Sequence, residues 1–241
     1  MRNKLAQFAA SYLERRAKRI VQSHDMWRYV GPYLEKSVST GCDYVDYLAL
    51  YNHVRKHKPR YVLELGTGVS TVVLAYALKE NGHGIVVSME DNEYYLAATK
   101  KIFPEELKDV VEFHLSPAVE KTRDFFRGSG YKDIPAKDYE FVFVDGPNLL
   151  VDTGRSSDAE FAFNFDFIEA VRISQKPVAG LIDTRTTTCF AYYLILGEKF
   201  RYNYLQRQGV MLPCTPKDLL NAKQITARAM RRRAFRRTFK T

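Results

Sequence analysis

Apolar residues recur between positions 4 and 21 at Leu5, Phe8, Tyr12, Leu13, Ala17, Ile20 and Val21, the spacing of one face of a helix, with Lys4, Arg15, Arg16, Lys18 and Arg19 on the other. A turn at Gly31-Pro32 and a small-residue stretch from Ser37 to Gly41 follow. A second helix is then expected from Asp43, a suitable N-cap, to about His57. Beyond it the period alternates. Short apolar runs at 60–65, 85–90, 110–115, 140–145 and 178–183 read as buried strands. The intervening stretches 70–81, 92–103, 118–127, 158–174 and 187–196 read as helices. Strands flanked by helices in this rhythm predict a parallel sheet covered on both faces. Two further runs, 200–205 and 210–212, joined by Arg207-Gln208-Gly209, predict a closing hairpin. No repeat or low-complexity linker interrupts the chain, so one α/β domain is expected.

Charge changes this picture only at the ends. The formal net charge is +9 over 241 residues, but eight basic residues and no acidic one lie between Lys223 and Thr241. That leaves about +1 for residues 1–222, so the body is close to neutral and the excess sits on a tail. Three cysteines, widely spaced and without a CxxC pattern, argue against a disulfide framework or structural zinc, and a cytoplasmic setting is expected. No apolar run approaches the ~20 residues that span a bilayer.

Chemistry concentrates at the strand ends. Glu64-Leu65-Gly66-Thr67-Gly68-Val69-Ser70-Thr71 closes the first strand with a carboxylate and two glycines and starts a helix at once. Such a turn lets main-chain amides approach a ligand. Thr71 stands where the dinucleotide pattern has its third glycine. Glu90, with Asp91 beside it, ends the second strand at the spacing suited to gripping ribose hydroxyls. Asp145, in Val144-Asp145-Gly146-Pro147, and Asp183, in Ile182-Asp183-Thr184-Arg185, end two later strands. Two carboxylates on neighbouring tips can hold a divalent cation, or one can act as a general base. Arg155 and Arg185 are candidates to orient an anionic acceptor.

The Glu64–Thr71 run and the order of elements from about Asp43 to Leu212 resemble class I S-adenosylmethionine-dependent methyltransferases. The resemblance implies a Rossmann-like seven-stranded sheet, mostly parallel with a C-terminal antiparallel strand and helices on both faces. It places Glu64 near the ammonium group of S-adenosylmethionine, with Gly66, Thr67, Gly68 and Ser70 along its backbone. Glu90 and Asp91 would lie at its ribose, Ser116 and Ala118 at its adenine, and Asp145 at the donor's reactive end. Asp145-Gly146-Pro147 and Asp183-Thr184-Arg185 look like small enzymes methylating sugar hydroxyls, with Asp145 and Asp183 catalytic. A catechol-type enzyme, with Mg2+ on Asp145 and Asp183, is the second reading, although Thr184 stands where that family has Asn.

Three regions follow: an N-terminal amphipathic helical extension (1–42), a methyltransferase domain (43–222) and a basic tail (223–241). The acceptor is expected to be a small molecule or glycan. The basic ends suit peripheral contact with an anionic membrane surface. The rival readings are an RNA methyltransferase gripping phosphates with its tail, and a non-catalytic Rossmann binding module.

Overall fold

The computed structural model describes residues 2–38, 41–123, 126–151 and 160–219. Three helices precede the sheet: α1 (Arg2–Ser23), α2 (Trp27–Lys36) and α3 (Tyr44–His57). Then come β1 (Tyr61–Leu65), α4 (Val69–Asn81), β2 (Ile85–Glu90), α5 (Glu93–Ile102), β3 (Val111–Leu115), β4 (Ala118–Arg123), β5 (Phe126–Tyr131) and β6 (Phe141–Val144). The remainder is β7 (Leu150–Val151), β8 (Glu160–Phe161), α6 (Asp166–Ile173), β9 (Val178–Ile182), α7 (Thr186–Leu196), β10 (Phe200–Asn203) and β11 (Gln208–Cys214).

The main sheet has seven strands in the order β10-β11-β9-β6-β1-β2-β3. β1 pairs in parallel with both β2 and β6, and the order reverses there. β11 slots antiparallel between β9 and β10. This is the Rossmann-like sheet expected, with its closing hairpin. Strand alternation divides the apolar residues between two cores. Val62, Val86, Phe141, Phe143 and Leu181 meet α1 to α4 on one face. Leu63, Leu65, Val87, Val142 and Ile182 meet α6 and α7 on the other.

Three expectations fail locally. Gly31-Pro32 lies inside α2 and makes no turn. Pro32 removes one helical hydrogen bond, but Val30, Gly31 and Tyr33 are buried on either side of it, and that packing holds the helix. The helix expected over 118–127 is the β4–β5 hairpin. Its second strand reads Phe-Arg-Gly-Ser-Gly-Tyr, and the glycines decide the matter. A side chain at Gly130 would collide with the Asp166 carboxyl, and one at Gly128 with the Phe163 carbonyl. Ser129 therefore lies close enough to Asn164 to form a bridge, donating its N–H to Phe163 O and accepting from Phe165 N. The helix expected to start at 158 begins at Asp166 for the same reason: the backbone just before it is committed to β5. Positions 158 and 159 lie outside the described residues.

The N-terminal helices share the first core with the sheet through Val21, Met26, Val30 and Tyr33. α1 also ties down the start of α3. Backbone N–H groups of Tyr44 and Val45 donate to the two Glu14 carboxylate oxygens at 2.8 and 3.1 Å. Asp43 takes the N-cap position as expected, and its own N–H donates to Asp46 Oδ2 at 3.1 Å. Glu14 thus satisfies two amides that a helix start leaves without partners. Glu14→Ala should lower unfolding stability by roughly 1–2 kcal/mol in urea titration. An unchanged midpoint would show that the contact contributes nothing.

Candidate active site

The tips of β1, β2, β6 and β9 are laced together beyond the regular strands. Gly66 N donates to Met89 O (3.0 Å), Asp145 N to Leu65 O (2.8 Å) and Asp183 N to Val144 O (3.3 Å). Gly66 sits at φ +105°, and a Cβ there would lie 3.0 Å from the Asp145 carbonyl. Both the conformation and the space require glycine.

Above this junction lies a cavity of about 390 Å³. Gly66, Thr67, Gly68 and Ser70 form its floor, Glu90 and Asp91 one wall, and Asp145 and Arg185 the opposite wall. Thr67 joins floor to wall. Its N–H donates to Glu90 Oε2 at 3.3 Å and its hydroxyl to Met89 O at 3.2 Å. Glu90 Oε1 accepts from the amides of Asp91 (3.2 Å) and Asn92 (3.1 Å). Burial raises the Glu90 carboxyl, and the amides of Asn92 and Thr67 pull it back. A carboxylate offers about four acceptor positions, and those three amides fix the side chain while leaving it room for a further donor.

Glu64 does not line the cavity. Residues of β1 alternate faces, so Glu64 follows Val62 beneath the first turn of α4, one residue short of the tip. It is fully buried, and its Oε2 accepts from the hydroxyls of Thr71 and Ser88, both at 2.6 Å. Thr71 Oγ1 in turn accepts from Gly68 N at 2.9 Å. Glu64 therefore shapes the glycine loop from behind. Ser116 and Ala118 are likewise absent from the cavity wall. Ser116 is buried, and its hydroxyl accepts from Asp133 N at 3.0 Å, while Ala118 begins the hairpin.

Asp145 and Asp183 come together, and Arg185 lies between them. Arg185 Nη2 donates to the Asp145 main-chain carbonyl and lies 3.2 Å from its Oδ1, and Nε lies 3.2 Å from Asp183 Oδ1. Nη1 donates to Asn148 Oδ1 at 2.5 Å. On its other side Asp145 Oδ2 accepts from the Cys42 thiol at 3.0 Å. Burial, then the Asp145 charge, raise the Cys42 thiol and keep it a donor. Burial and Asp145 likewise push Asp183 up to about 8, so Asp183 keeps the pair's proton near neutrality. Arg155 lies outside the described residues.

Several participants escape pattern reading. Cys42, from the loop before α3, and Tyr33, from α2, reach the cavity, and the Tyr33 hydroxyl donates to Thr99 Oγ1 of α5 at 3.0 Å. Asp46, buried in α3 and pushed up to about 7 by burial, accepts from Gln208 Nε2 at 2.6 Å. Asn164 Nδ2 holds the Gly146 carbonyl at 2.9 Å, at the cis Gly146–Pro147 peptide, and so secures the Asp145 loop. The one available signal was a polar residue inside an aromatic run, as in Phe163-Asn164-Phe165-Asp166.

Residues 63–162 match the family described as a methyltransferase domain. The seven-stranded sheet with β11 antiparallel is of the Rossmann-like kind. No curated protein matches the chain. Among solved structures it is similar to the O-methyltransferase from Bacillus cereus in complex with SAH, at 14% identity and TM-score 0.48, covering 83% of this chain and 97% of that one. It is also similar to the O-methyltransferase from Streptomyces achromogenes involved in tomaymycin synthesis, at 14% identity and TM-score 0.46, with 78% and 89% covered. A third is the SAH-bound Podospora anserina methyltransferase, at 15% identity and TM-score 0.45, with 96% and 88% covered.

The domain stores protons at buried acids, and this yields a stability prediction. Burial raises Glu64 from 4.5 to about 7. Its contribution is fully present below the unfolded value and is lost as pH rises through 7. Glu64→Gln should therefore flatten the fall in stability between pH 5 and 8 by an amount on the order of 3 kcal/mol. Parallel pH profiles for the two proteins would refute this.

Proposed function

We propose that the domain methylates a hydroxyl oxygen of a small acceptor, a sugar hydroxyl before a phenol. The observation that carries this reading is the Asp145 carboxylate at the cavity rim, steadied from one side by Cys42 and from the other by Arg185. When bound, S-adenosylmethionine supplies a methyl group already activated by its positive sulfur. The protein then has two tasks, to align and to remove one proton. The amides of the Gly66–Ser70 turn and the Glu90 carboxylate suit the backbone and ribose of the donor. Asp145 would take the acceptor's hydroxyl proton as its oxygen gains the methyl group. Alignment accounts for ~7–11 kcal/mol of such a barrier, and a placed base for roughly 10²–10⁴-fold in rate. Asn148 spends its carbonyl on Arg185, which leaves its amide nitrogen to donate to a polyhydroxyl acceptor.

Calorimetry separates these roles. Glu90→Ala should weaken S-adenosylhomocysteine binding by more than about tenfold, a loss of roughly 1.4 kcal/mol. Asp145→Asn should retain that affinity while methyl transfer to a hydroxyl acceptor falls about 10²–10⁴-fold. Heat on adding NAD but none on adding S-adenosylhomocysteine would sink the reading.

A specific observation favours peripheral membrane contact as well. α1 turns Ala17 and Val21 inward and leaves Phe8 and Tyr12 exposed in line with Arg15 and Arg19. An aromatic and cationic stripe suits an anionic lipid surface. Among the described residues no helix is long and apolar enough to cross a membrane. The basic tail lies outside them. The protein should sediment with phosphatidylserine vesicles at low salt, and Phe8→Ser with Tyr12→Ser should reduce this. Equal recovery with purely neutral vesicles, or none with either, would exclude the contact.

A further inference from the structure

A divalent cation between Asp145 and Asp183 would need about six oxygen ligands near 2.0–2.1 Å in octahedral array. The oxygens in question already face nitrogens. Asp145 Oδ1, Asp183 Oδ1 and Asn148 Oδ1 each look onto a different nitrogen of the Arg185 guanidinium, at 3.2, 3.2 and 2.5 Å. The main chain fixes the root of this side chain, since Arg185 N donates to Asp183 O at 2.8 Å and Arg185 O accepts from Cys189 N at 2.9 Å at the start of α7. The Arg185 side chain is only 18% exposed. Among the described residues no group of three His, Cys, Asp or Glu side chains is arranged to hold a metal.

We propose that Arg185 takes the place of the metal, its guanidinium binding the two acids together and aiming Asp145 at the acceptor. Planarity is what suits it to this. A guanidinium presents five N–H donors in a fixed fork; here Nη1 donates to Asn148, Nη2 donates to Asp145, and Nε lies in ion-pair range of Asp183 at 3.2 Å without a hydrogen bond. Arg185 then acts as a positioning residue. Both Nη atoms are engaged inside the protein and Nε faces Asp183, so an anionic acceptor is not what it recognises. The inference rests on the hydroxyl-transfer reading for its purpose, but its test does not depend on turnover.

Manganese serves as a paramagnetic probe, with S-adenosylhomocysteine affinity measured in parallel on the full chain. Wild type should bind no Mn2+ at millimolar concentration. Arg185→Ala should keep S-adenosylhomocysteine affinity and gain one Mn2+ site, because two acids and an amide oxygen now face open space. Adding Asp183→Asn to that variant should remove the site, and guanidinium ion, but not tetramethylammonium, should displace the metal. Arg185→Lys, which restores one charge without the fork, should bind Mn2+ at least about tenfold more weakly than Arg185→Ala. Stoichiometric Mn2+ on wild type that disappears in Asp145→Asn would overturn the proposal. So would an Arg185→Ala protein that holds S-adenosylhomocysteine normally yet takes up no Mn2+. A wild type that binds neither ligand condemns the methyl-transfer reading and leaves the metal result standing.

Discussion

The site depends on one close approach between two pieces of main chain. Gly66 and Asp145–Gly146 leave no room for a side chain between them. From that contact the glycine loop gains its direction, the floor of the cavity its shape, and Asp145 its place at the rim. Other groups reinforce the contact from outside. Thr67 and Glu90 pull the loop toward β2, Glu64 and Thr71 hold it from below, and Asn164 grips the opposite strand end. Backbone thus sets the geometry, and buried polar groups keep it. Such groups are costly when unpaired and specific when paired, which suits a cavity whose parts must not drift.

Much of this was legible in the chain. The central strands and their helices were read within a residue or two, because long apolar runs and sharp Gly and Asp boundaries leave few alternatives. Glu90, Asp145 and the Gly66–Ser70 turn fall at the cavity because strand ends in an open α/β sheet gather there. The failures have one origin. Helix 118–127, the early start of α6 and the Gly31-Pro32 turn were read from local composition, whereas each is decided by a distant partner. That Gly128 and Gly130 admit no side chain in β5 is clear only once Phe163 and Asp166 are known to press against them. The place of Glu64 behind the glycine loop was hidden in the same way, since its neighbourhood in sequence says nothing of Ser88 lying beneath it.

Electrostatics in the cavity follow from how few cations are available there. Asp145 and Asp183 share Arg185 while Asp46 has only neutral donors, so burial is balanced partly by charge and partly by retained protons. The Cys42 thiol and Gln208 amide supply neutral donors to the same group. The result is an acidic chamber of low net charge, compatible with a sulfonium beside it and with a neutral hydroxyl entering.

Alternation along a strand has one more consequence. Glu90, Asp145 and Asp183 belong to the face marked by Val86, Phe143 and Leu181, and each lies an even number of residues from its marker. Loss of a single residue from β6 or β9 would swing its acid round toward α6 and α7, away from the α1 to α4 side. The lengths of these strands are therefore under tighter constraint than their composition. Valine may replace leucine within them at modest expense, but the tally of peptide units from core to rim has to stay as it is.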